Sequence, residues 1–147
     1  MNLSIGQLAK AAGVKVPTVR FYEEIGLLPA PARTASDRRI YAQDAVDRLA
    51  FIRHARQLGF AVEAIRVLLD LSDNPERSCA DANTLAAGQL RDVEAKIGQL
   101  LALRAELQRM VDAACLGRAS DCRVIEVLSD HRLCLVSDHV SGQAAPR

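Results

Sequence analysis

The sequence predicts an all-α chain with a small β-hairpin wing, and three observations carry that reading. Aromatic residues make up only 3% of the 147 residues. A core must therefore come from Leu, Val, Ile and Ala, a composition that favours helices. Several segments space apolar residues three and four apart and end on a glycine, as amphipathic helices do. From residue 86 to 114 the same spacing runs without interruption, which marks a long helix that needs a partner.

The first helix is expected in "LSIGQLAKAAGV". Ser4 is the candidate cap, Ile5, Leu8, Ala9 and Ala12 share one face, and Gly13 ends it. In "VKVPTVRFYEEIGLL" a second begins, with Pro17 in its first turn, Val19 and Tyr22 three apart, and Gly26 as its stop. Two short helices joined by a turn containing glycine form a helix-turn-helix. Pro29 and Pro31 then break regular structure, and "Ala-Ser-Asp" supplies turn chemistry between short strands at 32–34 and 38–41, a hairpin wing. A third helix follows, with Asp44 as its expected cap and Val46, Leu49, Ile52 and Arg56 in register until Gly59. The fourth turns Val62, Ile65, Leu68 and Leu69 inward, and "DNPER" breaks it.

Positions 86, 90, 93, 97, 100, 104, 107, 111 and 114 hold Ala, Leu, Val, Ile, Leu, Arg, Leu, Val and Ala. Only Arg104 is polar. A helix over residues 80–114 is roughly 50 Å long and cannot bury this stripe by itself. The simplest partner is the same helix of a second chain in a homodimer; the chain's own helices are the other option. The expected organisation is a winged helix-turn-helix DNA-binding domain over 1–72, a hinge at 73–79, and a dimerisation helix at 80–114. A loop with a short helix covers 115–130, and a polar tail expected to fray covers 131–147.

The net charge of +1 hides an asymmetry: residues 1–72 sum to +3 and residues 73–147 to −2. A basic front half suits a polyanion. Its cations are nearly all Arg, with three Lys in the whole chain. Arg forks match phosphates and guanine edges. Thr18, Arg20 and Tyr22 on the second helix are candidates for the major groove. Arg38 and Arg39 in the wing are placed to meet phosphates, with Tyr41 adding a hydroxyl contact. Arg53 and Arg56 on the next helix are candidates of the same kind. The alternative is that Arg20 and Tyr22 are ordinary surface residues and that Tyr41 packs inside the wing. No glycine-rich phosphate loop, Ser–His–acid spacing or HExxH motif appears, and His54 sits among arginines. An enzyme is therefore not expected. The sequence shows neither a signal peptide nor a membrane span, so a cytoplasmic protein is expected. There, clustered cysteines bind metal or react more often than they form structural disulfides.

The motifs "IGQLAKAAGV", "TVRFYEEIGLL", "RRIY" and "FIRHARQLGF", in this order, resemble the MerR family of transcription regulators across residues 3–130. Phe21 departs from the tyrosine common in the family and is expected to pack. Two half-domains joined by a coiled coil imply a palindromic double-stranded DNA operator. The resemblance further implies that the metal-bound form bends and untwists a promoter so that RNA polymerase engages it. Such bending costs of order 1–6 kcal/mol by elastic estimates.

Cys79, Cys115 and Cys122 coincide with the ligand positions of the branch that senses soft divalent ions. Their pattern is most similar to the cadmium- or lead-responsive members, with zinc or mercury as further possibilities. The copper-responsive branch has serine at the position of Cys79. Thiolates suit soft ions, and a helix start favours negative charge at Cys79. Ser78 and Asp81 are spaced for a reciprocal cap there. Cys79 and Cys115 stand at opposite ends of the long helix. An antiparallel coiled coil would bring Cys79 of one protomer to Cys115 and Cys122 of the other. Cys134 is a candidate fourth ligand or an idle thiol; Asp121, His131 and His139 are candidate assistants. The competing expectation is a thiol-based redox sensor of the same family that holds no metal.

Overall fold

The structure, a computed structural model, describes residues 2–113, 117–130 and 132. It divides into two compact units with the boundary between Gln89 and Leu90.

The first unit begins with α1 (Ile5–Ala12), capped as the sequence predicts. Gln7 N donates to Ser4 Oγ at 3.3 Å and Ser4 N donates to Gln7 Oε1 at 2.8 Å, closing a capping box. Gly13 ends the helix in the left-handed region at φ 69°, where an L side chain is strained. The Arg53 guanidinium fills the space a Cβ would take, 2.3 Å from that position. α2 (Val16–Glu24) follows, with Pro17 in its first turn.

The wing is β1 (Ala32–Arg33) paired antiparallel with β2 (Arg39–Ile40), in the register Ala32 with Ile40 and Arg33 with Arg39. It is shorter than the sequence suggested because Thr34 and Arg38 close the turn. Thr34 N donates to Arg38 O at 2.9 Å and Arg38 N to Thr34 Oγ1 at 3.1 Å. Asp37 takes the turn's positive φ, 62°. A backbone bridge from Leu3 to Tyr41 ties the wing to the N-terminus.

α3 (Gln43–Gln57) starts from Ala42, not from Asp44, which sits inside its first turn. The reason is the Leu3–Tyr41 bridge: it holds Tyr41 extended, so the chain turns into the helix immediately after it. α4 (Val62–Asp73) lays Ile65 and Leu69 on the core. That core is built from Leu8, Val19, Leu27, Leu28, Leu49, Ile52 and Ile65, with Ala9, Ala12, Ala55, Leu69 and the rings of Tyr22 and Tyr41. Fully burying one such aliphatic side chain contributes about 1.5–3 kcal/mol.

α5 (Ala80–Asp112) is one helix of 33 residues, or roughly 50 Å. Its first turns belong to the first unit, which therefore runs past residue 72. Gln89 Nε2 donates to Leu58 O at 2.9 Å. Its amide occupies the place of a Cβ on Gly59, which holds φ +87°. In the second unit, Leu90, Val93, Ile97, Leu100, Leu107 and Val111 are 39–65% exposed. These are the positions that the three-and-four spacing marks. Met110, Val127 and Glu106 are buried, with Glu106 paired to Arg109. A 3-10 turn (Ala119–Asp121) leads into α6 (Arg123–Ser129). No helix among the described residues is long and apolar enough to cross a membrane.

Candidate nucleic-acid interface and thiol sites

α2 divides its residues sharply between two faces. Val19 and Tyr22, three apart, turn into the core. Arg20 is left exposed and Thr18 half-exposed. Phe21, expected from the sequence to pack, is 47% exposed because it lies on the outer face beside Arg20. The helix is anchored on its inner face while Arg20 projects outward, as a major-groove reader must. The wing adds exposed Arg38 at its turn. Arg33 is drawn back onto Asp37, donating from Nη1 to its carboxylate and its carbonyl at 3.1 Å each.

The expected tyrosine contacts are relocated by packing. Tyr22 is buried, its ring 5.6 Å from that of Phe21. Tyr41 is 4% exposed and its hydroxyl donates to Glu23. Burial first, then the bond to Glu23 and its charge, push the Tyr41 phenol well above its ordinary value; Arg39 and Arg20 oppose them. Glu23 also faces Arg39, whose Nε lies 3.6 Å from Oε2. Tyr41 therefore fastens the wing to α2, the packing alternative the sequence left open, and Arg39 is half-covered by the same carboxylate. On α3, Arg53 and Arg56 are exposed. Arg53 lies over Gly13 in the turn between α1 and α2, and Arg56 Nη1 donates to Phe60 O at 3.0 Å.

Sequence reasoning did not single out Glu23 or Arg48. Neither stands in a motif, and their partners are far away in the chain: Tyr41 for Glu23, Leu27 and Asp73 for Arg48.

Cys79 is exposed and immediately precedes α5. Its carbonyl accepts from Asn83 N at 3.0 Å, and Asn83 Nδ2 reaches its Sγ at 3.8 Å. Ser78 Oγ accepts from Ala80 N at 3.2 Å, so Ser78 caps at a nearer amide than the expected partnership with Asp81. Cys122 is half-buried at the N-cap position of α6, where its carbonyl accepts from Glu126 N at 3.0 Å. Both thiols thus stand at helix starts. Cys115, Cys134, His131 and His139 lie outside the described residues. Among the described residues no group of three His, Cys, Asp or Glu side chains is placed to hold an ion.

A helix-turn-helix that presents Arg20 beside an arginine-bearing wing, followed by a long helix with a bare apolar stripe, defines a DNA-binding regulator. Residues 3–72 match the MerR HTH family of regulatory proteins, and residues 46–110 match the MerR DNA-binding family. The HTH-type transcriptional regulator ZntR of Escherichia coli strain K12 is 40% identical over 127 residues, spanning 84% of this chain and 90% of its own. The structure of PbrR691 from Ralstonia metallidurans CH34 in complex with lead(II) superposes with a TM-score of 0.75 at 38% identity, covering 86% of this chain and 98% of that one. The dual-function MerR of Bacillus megaterium MB1 in complex with mercury(II) gives 0.65 at 30% identity, covering 86% and 99%. The chain belongs to the MerR family. By that membership it is a DNA-binding transcription regulator and not an enzyme.

Proposed function

We propose that this chain is a metal-responsive transcription activator, a cytoplasmic homodimer that binds a palindromic operator and answers a soft divalent ion. The observation that carries this reading is the placement of Cys79. It stands exposed at one end of a 33-residue helix whose other end leads to Cys115. The ends are roughly 50 Å apart, so one helix cannot bring its own two thiols together. Antiparallel pairing along the exposed stripe from Leu90 to Val111 covers apolar surface that water otherwise meets. It also sets Cys79 of one protomer beside Cys115 and Cys122 of the other.

The donor set fits the group. Three sulfur ligands suit cadmium or lead, and zinc or mercury with help from another donor. The Asn83 amide aimed at the Cys79 sulfur suits an anionic ligand. The lead and mercury complexes of the similar structures support the same ion class. When bound, the ion supplies bonds across the dimer interface. The rest is the work of the protein's own residues: Arg20 reads a base edge, Thr18 assists it, and Arg38, Arg39, Arg53 and Arg56 meet phosphates on either side. Reshaping the operator then lets RNA polymerase engage the promoter.

The test is titration of the reduced dimer with cadmium(II) or lead(II), following thiolate-to-metal absorption. Cys79→Ser, Cys115→Ser and Cys122→Ser should each abolish the band, and Cys134→Ser should leave it. Normal binding by Cys79→Ser would remove the shared site. Absence of any band, with disulfide formation on mild oxidation, would favour a redox sensor.

A further inference from the structure

Arg48 reaches from α3 to two other segments through its guanidinium. Its Nε donates to Leu27 O at 2.7 Å, just past the end of α2. Its Nη1 donates to both carboxylate oxygens of Asp73, at 3.1 and 2.9 Å, in the last turn of α4. A single guanidinium thus joins the end of the recognition helix, α3 and the end of α4, a three-way reach that only the planar fork of Arg provides.

Asp73 shares its helical turn with Asp70, three residues earlier. Asp70 is ion-paired with Arg77 and accepts from Asn74 Nδ2 through its carbonyl at 2.7 Å. Arg77 lies in the linker two residues before Cys79. The last turn of α4 therefore grips the Cys79 linker with one carboxylate and, through Arg48, the end of α2 with the other. The path from Cys79 to α2 is continuous in hydrogen bonds and covalent structure.

We propose that Arg48 is a positioning residue that transmits ligation at Cys79 to the recognition helix. This rests on the reading of Cys79 as a metal ligand. Two further features suit the role. Arg48 and Asp73 line an open pocket of about 580 Å³ between the wing, α3 and α4, so the pair borders space on that side. Arg66 Nη2 separately donates to Ile25 O at 2.8 Å and holds the end of α2 whatever Arg48 does. Loss of the Arg48 link should therefore spare the metal-free fold and affect its response to metal.

The experiment is amide hydrogen exchange of the full-length reduced dimer, with and without cadmium(II), beside the thiolate-to-metal absorption titration. In the wild type, cadmium(II) should change exchange across residues 16–28. Arg48→Lys and Asp73→Asn should keep the absorption band and the metal-free exchange pattern of α2. They should lose the cadmium-induced change by at least ten-fold, and the double variant should lose no more than either single one. Asp73→Asn preserves size at a half-exposed carboxylate, so it stands as the test if Arg48→Lys folds poorly. A wild-type cadmium response in α2 of either variant overturns the proposal. So does a variant whose metal-free α2 exchanges faster by as much as its response falls, since that is only loss of structure. A wild-type dimer that binds cadmium(II) with no change in α2 refutes the relay and leaves the thiol site standing. A wild type with no band at all refutes the thiol site first.

Discussion

Glu23 accepts the Tyr41 hydroxyl and faces Arg39, so one carboxylate sets the wing against α2. Tyr41→Phe removes a charge-assisted bond and should lower stability at pH 8 by about 1.5 kcal/mol in denaturant melts. The pH dependence follows from the raised phenol. Below about pH 10, the ordinary tyrosine value, both folded and unfolded chains keep the proton and the contribution is complete. Above it the unfolded chain releases its proton first, so stability falls as pH rises toward the folded value. The gap between wild type and Tyr41→Phe should therefore narrow between pH 8 and pH 11; an unchanged gap would mean that neither burial nor Glu23 raises the phenol in the folded chain. Arg38 tests the other kind of residue. It is exposed at the wing turn, and Arg38→Ala should flatten the salt dependence of operator binding by about 0.9 per protomer if it neutralises one phosphate. The exposure of Arg20, Arg38, Arg53 and Arg56 was legible from the sequence, because charged residues stay out of a core without a partner. The fates of Tyr22 and Tyr41 were not, since an amphipathic ring suits an interface and a core equally and only the tertiary position of Glu23 decides.

Among the elements, α1 and its turn were readable almost to the residue. Ser4, Gln7 and Gly13 form local contacts that need nothing distant. Gly13→Ala places an L residue at φ 69° and a Cβ against the Arg53 guanidinium. It should cost about 1–2 kcal/mol in urea unfolding, mostly from the backbone, because the end of the Arg53 side chain can swing away. The start of α3 was misplaced by two residues because the Leu3–Tyr41 bridge, a contact between distant segments, decides where the helix can begin. The long helix is the opposite case: its apolar register is a property of sequence spacing, and the same residues stand exposed in the structure. Leu100→Glu puts a charge in the middle of that stripe, at a position 64% exposed in the single chain. Sedimentation should show a monomer at concentrations where the wild type is a dimer. A variant that stays dimeric would place the interface elsewhere.

At the scale of the whole molecule, the chain divides into two compact units. The first unit holds the helix-turn-helix, the wing, the Arg48 link and Cys79. The second carries most of the exposed stripe and Cys122. The sequence made the DNA-binding class visible through four motifs, which the family match bears out, while the ion class read from the cysteine positions stands as a proposal. On the proposed reading, which thiols meet is decided by two chains together, because α5 is roughly 50 Å long. The most direct measurement is complementation in a purified heterodimer. One protomer carries Cys79→Ser and the other Cys122→Ser, each of which should abolish cadmium(II) binding as a homodimer. If sulfur atoms from two protomers share one ion, Cys79 of the second protomer meets Cys115 and Cys122 of the first, and the heterodimer regains one of its two sites with its absorption band. A heterodimer as inert as its parents would contradict the account.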